Sequence, residues 1–118
     1  MRLLQTNLHR SRAADALLKQ IAVERGIDAV IISEQYGRIA RGSWFEDETG
    51  TTALSIPGSG RFAVTEHGAY SGYPYISSNR IYIYLTPSDD IEQFKTNVVF
   101  KLQEKQRKLL YFKLFKVA

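Results

Sequence analysis

Apolar and polar residues in the first third of the chain follow the pattern of a strand, a helix and a second strand. The segment RLLQTN is a short apolar start. A helix is predicted after a cap at Ser11, because the following apolar residues share one helical face: Ala14, Leu17, Leu18, Ile21 and Ala22. Gly26 predicts the helix end. The uninterrupted apolar residues 29–32 predict a strand that is buried on both faces.

Two strands joined by one helix predict a right-handed βαβ unit with parallel strands at the centre of a sheet. Asn7 and Glu34 follow the apolar parts of these strands, so both are expected at the same carboxyl-end rim. A carboxylate there must be solvated, paired or bound to a metal. Asn7 and Glu34 together offer two oxygen ligands for a hard cation such as Mg²⁺. The alternative is an ordinary solvated strand end.

Beyond residue 36 the pattern changes to short strands separated by turn residues. GRIARGSWFEDETG predicts a loop and HGAYSG a turn, and strands are predicted at TTALSI, RFAVTE, YPYIS and RIYIYL. TPSDDIEQF predicts a second helix, capped by Asp89 and Glu92, with apolar residues at helical spacing: Ile91, Phe94, Val98 and Leu102. The predicted fold class is mixed α/β: a βαβ unit, antiparallel strands and a C-terminal helix, with helices covering one face of a sheet.

The length and composition favour one globular domain in an intracellular setting. A chain of 118 residues suits a single core. Cysteine is absent, so neither disulfides nor thiolate metal sites can hold the fold. No apolar run approaches the roughly 20 residues of a membrane span, and the first residues lack the apolar centre of a signal peptide. We therefore expect a soluble protein that is neither secreted nor bound to a membrane, without distinguishing nucleus from cytoplasm.

The net charge of +4 comes from the end of the chain. Residues 101–118 hold six basic residues and one acidic residue, a net charge of +5, whereas residues 1–100 hold ten basic and eleven acidic residues, a net charge of −1. Charge therefore does not predict a broad phosphate-binding face on the first 100 residues.

Several short motifs follow one another in an order typical of a known family. They lie in LLQTNLHRSRAADALLKQIAVERGIDAVIISEQY and, later, in YIYLTPSDDIEQF. The matching residues are Asn7, Leu8, Arg10, Ser11, Ala14, Glu34, Tyr36, Trp44, Gly50, Tyr84, Pro87 and Ser88. Over residues 3–94 the chain resembles the endonuclease/exonuclease/phosphatase family. It is most similar to the N-terminal endonuclease domain of insect non-LTR retrotransposon polyproteins, which also carry a reverse transcriptase.

The resemblance implies a fold, a metal and three site residues. The fold would be the N-terminal half of a DNase-I-like four-layer sandwich, with residues 1–100 as a partial domain and residues 101–118 as a basic tail continuing the last helix. Glu34 would bind Mg²⁺ or Mn²⁺, Asn7 would lie in the same metal and phosphate pocket, and Tyr84 would direct its hydroxyl towards the scissile phosphate. The expected partner is DNA, which such enzymes nick during retrotransposition.

The chain also departs from the family pattern. Many relatives have Pro directly after the glutamate, where this chain has Gln35. The family's Gly-Asp-x-Asn segment and its terminal Asp-His pair, which activate the nucleophile, do not occur in these 118 residues. We therefore expect weak or no catalysis from this chain alone. His9 and His67 are expected to be surface or loop residues rather than catalysts.

Two further features carry functional alternatives. The tail alternates Leu109, Phe112 and Phe115 with lysines, which is typical of a basic amphipathic segment; the alternative is a frayed helix end or a last strand that completes the core. The tyrosine-rich segment of residues 70–84 could stack on bases, but tyrosine also suits half-buried strands, and we favour that interpretation for all except Tyr84.

The rival hypothesis for the whole chain is a noncatalytic fragment derived from a retroelement. Such a fragment would bind nucleic acid, or would self-associate through sheet surface that the rest of the domain normally covers.

Overall fold

Over the residues that the structure describes, the fold is a mixed α/β arrangement of nine strands in two sheets and one helix. The computed structural model describes residues 2–37, 42–57, 63–70, 72–78, 81–87, 96–102 and 110–114. The elements, in chain order, are β1 (Arg2–Asn7), α1 (Arg12–Glu24), β2 (Ala29–Ser33), β3 (Ser43–Glu46), β4 (Thr52–Ile56), β5 (Glu66–Tyr70), β6 (Tyr73–Ser77), β7 (Ile81–Pro87), β8 (Thr96–Leu102) and β9 (Leu110–Leu114).

The βαβ unit has the predicted form. The side chain of Ser11 accepts a hydrogen bond from the Ala14 amide and so caps α1. After the helix, Gly26 adopts a φ of +58°, the left-handed conformation that ends many helices. The strands β1 and β2 then pair in parallel. The prediction of a parallel pair at the centre of a sheet is confirmed, because the first sheet has the order β3-β4-β2-β1-β9.

The first sheet is the middle layer of the described structure. On one face, Leu4, Val30 and Ile32 pack against the apolar face of α1. On the other face, Leu3, Ile31 and Leu54 pack against the second sheet, whose order is β5-β6-β7-β8; it contributes Ile76, Ile83 and Leu85. Every residue of β2 is buried, since the strand has a helix on one side and a sheet on the other.

The prediction of a C-terminal helix is wrong for the part that the structure describes. Val98 and Leu102, placed on a helix by their spacing, belong to β8, which pairs antiparallel with all of β7. The segment TNVVFKL is rich in β-branched and aromatic residues, and long-range pairing overrides an apolar spacing that suits a strand equally well. The remaining predicted helix positions, from Asp89 to Phe94, lie outside the described residues.

The tail also differs from the prediction. Instead of continuing a helix, Leu110–Leu114 forms β9, which pairs in parallel with β1. Of the predicted alternatives, a last strand is therefore the better description of this segment, and it lies at the edge of the first sheet. Strand formation agrees with the sequence LYFKL, in which aromatic and large apolar residues favour extended backbone.

Two strand boundaries near the middle of the chain were also predicted wrongly. The predicted loop around Trp44 contains β3, in which Trp44 packs towards the helix and Phe45 towards the second sheet. The predicted strand RFAVTE is irregular over residues 63–65, and β5 instead occupies the predicted turn HGAYSG. Its register is set by pairing with β6, where Tyr70 lies opposite Tyr73 and Gly72 supplies a φ of +82°.

Candidate functional site

Asn7 and Glu34 lie at the same end of the first sheet, as the βαβ pattern predicts. Asn7 is the last residue of β1 and lies opposite Ser33, the last residue of β2, in the parallel register. Glu34 follows directly. Because parallel strands bring their carboxyl ends to one edge, the amide and the carboxylate belong to the same rim.

The backbone at this rim is unusual. Within the part of the chain that the structure describes, the non-glycine residues with positive φ are His9 (+50°), Arg10 (+53°) and Glu34 (+51°). Left-handed backbone is costly for such residues and persists only where surrounding contacts impose it. Here the Arg10 amide donates to the Glu34 carbonyl at 2.8 Å. The two loops that carry the left-handed residues are thus bonded to each other.

Two further backbone hydrogen bonds hold the same loops. The Leu8 amide donates to the Ser33 carbonyl at 2.9 Å, which extends the parallel pairing one residue past β1. The Glu34 amide donates to the Thr51 carbonyl at 2.7 Å, which ties β2 to the loop before β4. The position of the Glu34 backbone is therefore fixed from two sides.

His9 connects the two predicted site residues. Its backbone amide donates to Oδ1 of Asn7 at 2.8 Å, and its Nδ1 lies 3.2 Å from Oε2 of Glu34. The imidazole is 56% exposed, which agrees with the prediction of a surface loop residue, but its contact with Glu34 was not predicted. The sequence feature that indicates this contact is the position of His9 two residues after Asn7, in the loop that leaves the rim.

The surroundings of Glu34 are basic and accessible. The Glu34 side chain is 22% exposed, whereas Asn7 is 4% exposed. Arg10 is exposed and donates from Nη1 to the Gln35 carbonyl at 3.4 Å. The N-terminus of α1, which carries partial positive charge, begins in the same loop. Arg10 and the helix N-terminus would attract an anion such as a phosphate, provided that a bound cation offsets the negative charge of Glu34.

A row of polar side chains crosses the first sheet at this end. Asn7 lies opposite Ser33, and Ser33 lies opposite Thr52. Strand alternation places all three on the face that carries Leu3, Ile31 and Leu54, towards the second sheet. The hydroxyl of Thr52 is buried and has no hydrogen-bond partner. Ser33 and Thr52 are polar residues at the ends of strands that are otherwise largely apolar, and this is the sequence signal that indicates such a row.

The oxygen ligands at the rim would suit an open Mg²⁺ or Mn²⁺ site, in which water and substrate complete the coordination, rather than a site enclosed by protein ligands. No group of three or more His, Asp or Glu residues suited to hold a metal occurs within the described ranges. Mg²⁺ keeps several water ligands and is commonly held by one or two carboxylates together with substrate phosphates. At this rim Glu34 offers an accessible carboxylate, and the Asn7 amide oxygen lies on the buried side.

Tyr84 lies elsewhere in the fold. Its neighbours in β7, Ile83 and Leu85, point into the core between the sheets, so alternation directs Tyr84 to the outer face of the second sheet. There its ring centroid lies 5.4 Å from that of Tyr82. The structure therefore does not bring Tyr84 together with Asn7 and Glu34.

The outer face of the second sheet carries a small aromatic cluster. Tyr75 stacks on Tyr82 with a centroid distance of 5.5 Å, and its hydroxyl donates to Oε1 of Glu66 at 3.1 Å. That hydrogen bond is the main reason why the pKa of Tyr75 is raised above its ordinary value of 10.0. Half-buried tyrosines that pack on one another agree with the structural interpretation of this segment.

Comparison with known proteins gives no family assignment. Neither the models of known protein families nor the curated proteins contain a match to this sequence. Over the described ranges, the single helix is too short to cross a membrane. The functional interpretation therefore depends on the order of the motifs and on the geometry of the rim.

Proposed function

We propose that this chain is the N-terminal portion of a divalent-metal-dependent DNA endonuclease of the endonuclease/exonuclease/phosphatase type. The observation that carries the proposal is the pairing of Asn7 and Glu34 at the ends of adjacent parallel strands, with His9 in contact with both. An acid on left-handed backbone and a neighbouring amide at the end of a parallel strand are parts that such a site requires.

The layer arrangement also supports the proposal. A DNase-I-like enzyme has two sheets packed face to face with helices on both outer faces. In this chain α1 covers the outer face of the first sheet, and the second sheet packs on its inner face. One helical layer and two sheets are the layers expected from the N-terminal part of that four-layer fold.

In the proposed reaction each residue of the rim has a limited role. Glu34 would hold Mg²⁺ or Mn²⁺, and the metal would supply positive charge for the phosphate oxygens of DNA. The Asn7 amide would orient the same phosphate or the metal's water. The exposed Arg10 and the N-terminus of α1 would attract the DNA backbone. Tyr84 would contribute only through DNA that reaches the outer face of the second sheet.

We expect low activity from these 118 residues. Phosphodiester hydrolysis needs a group that orients and activates the attacking water. In the family that group comes from the Gly-Asp-x-Asn segment and the Asp-His pair, neither of which occurs in this sequence. Metal binding is therefore a better first test than turnover.

The test is Mn²⁺ binding, followed by the broadening of amide resonances, beside a nicking assay on supercoiled plasmid. The variants are Glu34→Gln and, as a control, Glu24→Gln, which makes the same charge change at the far end of α1. We expect Mn²⁺ to broaden residues 7, 8, 33 and 34 in the wild type and in Glu24→Gln but not in Glu34→Gln. Broadening that is unchanged by Glu34→Gln would overturn the proposal.

The nicking assay separates the remaining alternatives. Nicking that Glu34→Gln abolishes would support the proposed function and would contradict the expectation of low activity. Folded protein that binds DNA with steep salt dependence, yet shows no Mn²⁺ binding at Glu34, is the result expected of the rival noncatalytic fragment.

A further inference from the structure

His9 and Glu34 present two ligand atoms at a separation suited to one metal ion. Nδ1 of His9 and Oε2 of Glu34 are 3.2 Å apart. Imidazole nitrogen and carboxylate oxygen each bind transition metals at about 2.0 to 2.2 Å. Two such ligands on neighbouring vertices of an octahedron or tetrahedron are therefore roughly 3.0 to 3.4 Å apart. The observed distance lies within that range.

The backbone segments that carry the two side chains are held by hydrogen bonds. The His9 amide bonds to the Asn7 side chain, and the next amide, that of Arg10, bonds to the Glu34 carbonyl. Both His9 and Glu34 have left-handed backbone conformations. Their side chains therefore do not point in the directions that they would have if β1 and β2 continued as regular strands. The backbone would therefore need little ordering when a metal binds, which lowers that part of the entropic cost.

Exposure leaves room for the other ligands. The His9 side chain is 56% exposed and the Glu34 side chain 22% exposed, so water or a phosphate oxygen can reach a metal held between them. Asn7, whose Oδ1 already accepts the His9 amide, lies on the buried side. The site is therefore open towards solvent and closed towards the sheet.

We propose that His9 is a direct ligand, with Glu34, of a metal ion that accepts imidazole: Co²⁺, Ni²⁺ or Zn²⁺. The inference rests on the proposed function, which places a metal at Glu34, and it adds the class of metal. Imidazole suits these ions, whereas Mg²⁺ strongly prefers oxygen ligands. The site therefore selects transition metals over Mg²⁺.

The test uses Co²⁺ and Mg²⁺ as separate probes of the full chain at pH 7.5. Co²⁺ shifts the proton resonances of a bound imidazole far outside the normal range, and isothermal titration gives both affinities. The matched variants are His9→Ala and His67→Ala, since the sequence has two histidines and His67 is an exposed residue on the other sheet. Glu34→Gln is the third variant.

We expect strongly shifted imidazole signals in the wild type and in His67→Ala but not in His9→Ala. His9→Ala should weaken Co²⁺ binding about tenfold or more and leave Mg²⁺ binding within about twofold. Glu34→Gln should weaken the binding of both ions.

The outcomes separate this inference from the proposed function. If Glu34→Gln weakens both ions while His9→Ala changes neither, the inference is overturned and the proposed function stands. If Glu34→Gln changes neither ion, both are overturned. Imidazole signals that persist in His9→Ala and disappear in His67→Ala would also overturn the inference.

Discussion

The backbone amide of Glu34 donates a 2.7 Å hydrogen bond to the carbonyl of Thr51. Thr51 is itself held by Asp47, whose carboxylate accepts bonds from the Thr51 amide and hydroxyl, both at 2.8 Å. The acidic segment EDET thus includes a residue that orders a tight loop. Through that loop Asp47 helps to fix the backbone position of Glu34.

The left-handed backbone of Glu34 predicts an unusual order of stability among its variants. At ordinary φ, a glycine variant has a free energy of unfolding about 0.5 to 1 kcal/mol lower than an alanine variant, because glycine makes the unfolded chain more flexible. At a φ of +51° alanine carries a steric cost of about 1 to 2 kcal/mol that glycine avoids. We expect Glu34→Gly to be more stable than Glu34→Ala in urea denaturation. The opposite order would show that this residue is not left-handed in solution.

The neighbouring hydroxyls of Thr51 and Thr52 should respond to the same substitution in opposite ways. Thr52 is fully buried and its hydroxyl has no hydrogen-bond partner, so Thr52→Val should raise the free energy of unfolding by about 1 kcal/mol. The Thr51 hydroxyl donates a hydrogen bond to Asp47, so Thr51→Val should lower the free energy of unfolding by about 1 kcal/mol. Denaturant titration of the two variants measures both changes. A loss of stability in Thr52→Val would mean that the hydroxyl has a partner.

Gly42 is predicted to be the least replaceable of the described glycines. A Cβ there would lie 1.9 Å from the Ile56 carbonyl oxygen, and the residue has a φ of +82°. Gly42→Ala should therefore destabilise the fold by at least about 2 kcal/mol. Gly37, which has open space around the Cβ position, is the control: Gly37→Ala should be neutral or stabilising by up to about 1 kcal/mol. Equal melting temperatures for the two variants would contradict the packing of β3 against β4.

The hydrogen bond between Tyr75 and Glu66 predicts a pH effect at the alkaline end. The bond raises the pKa of Tyr75, because the neutral phenol donates to the carboxylate and the phenolate would be repelled by it. The stabilisation is therefore complete below the ordinary tyrosine pKa of 10.0 and is lost as pH rises through the raised value. Titration of the tyrosine ¹³Cζ resonances should show the Tyr75 pKa falling in Glu66→Gln and unchanged in Glu24→Gln. An unchanged Tyr75 pKa in Glu66→Gln would show that the bond is absent in solution.

The rim of the first sheet was predictable because it depends on local pattern. Apolar runs defined β1 and β2, helical spacing defined α1, and the parallel direction of the two strands in a βαβ unit then placed Asn7 and Glu34 at one rim. No information from distant parts of the chain was needed. The contact of His9 with Glu34 was not predictable in this way, because it arises from left-handed loop conformations that leave no periodic signal.

The second sheet shows the limit of local pattern. Val98 and Leu102 fit a helix by spacing, but pairing with β7 decides their structure. Likewise, β5 begins at Glu66 because that register places it opposite β6, and the residues before it are irregular although they look equally suited to a strand. In both cases the deciding interaction joins segments whose pairing the sequence alone does not specify.

The position of β9 beside β1 has a consequence for synthesis of the chain. β1 contains the first described residues, yet one of its two edges is paired only by residues 110–114. A nascent chain can form α1 and pair β1 with β2 early, but one side of β1 keeps unpaired amides and carbonyls until the ribosome has added β9. Nascent chains that have not yet reached residue 110 would therefore expose a strand edge able to pair with another copy, so translational pausing before that point should increase co-translational aggregation.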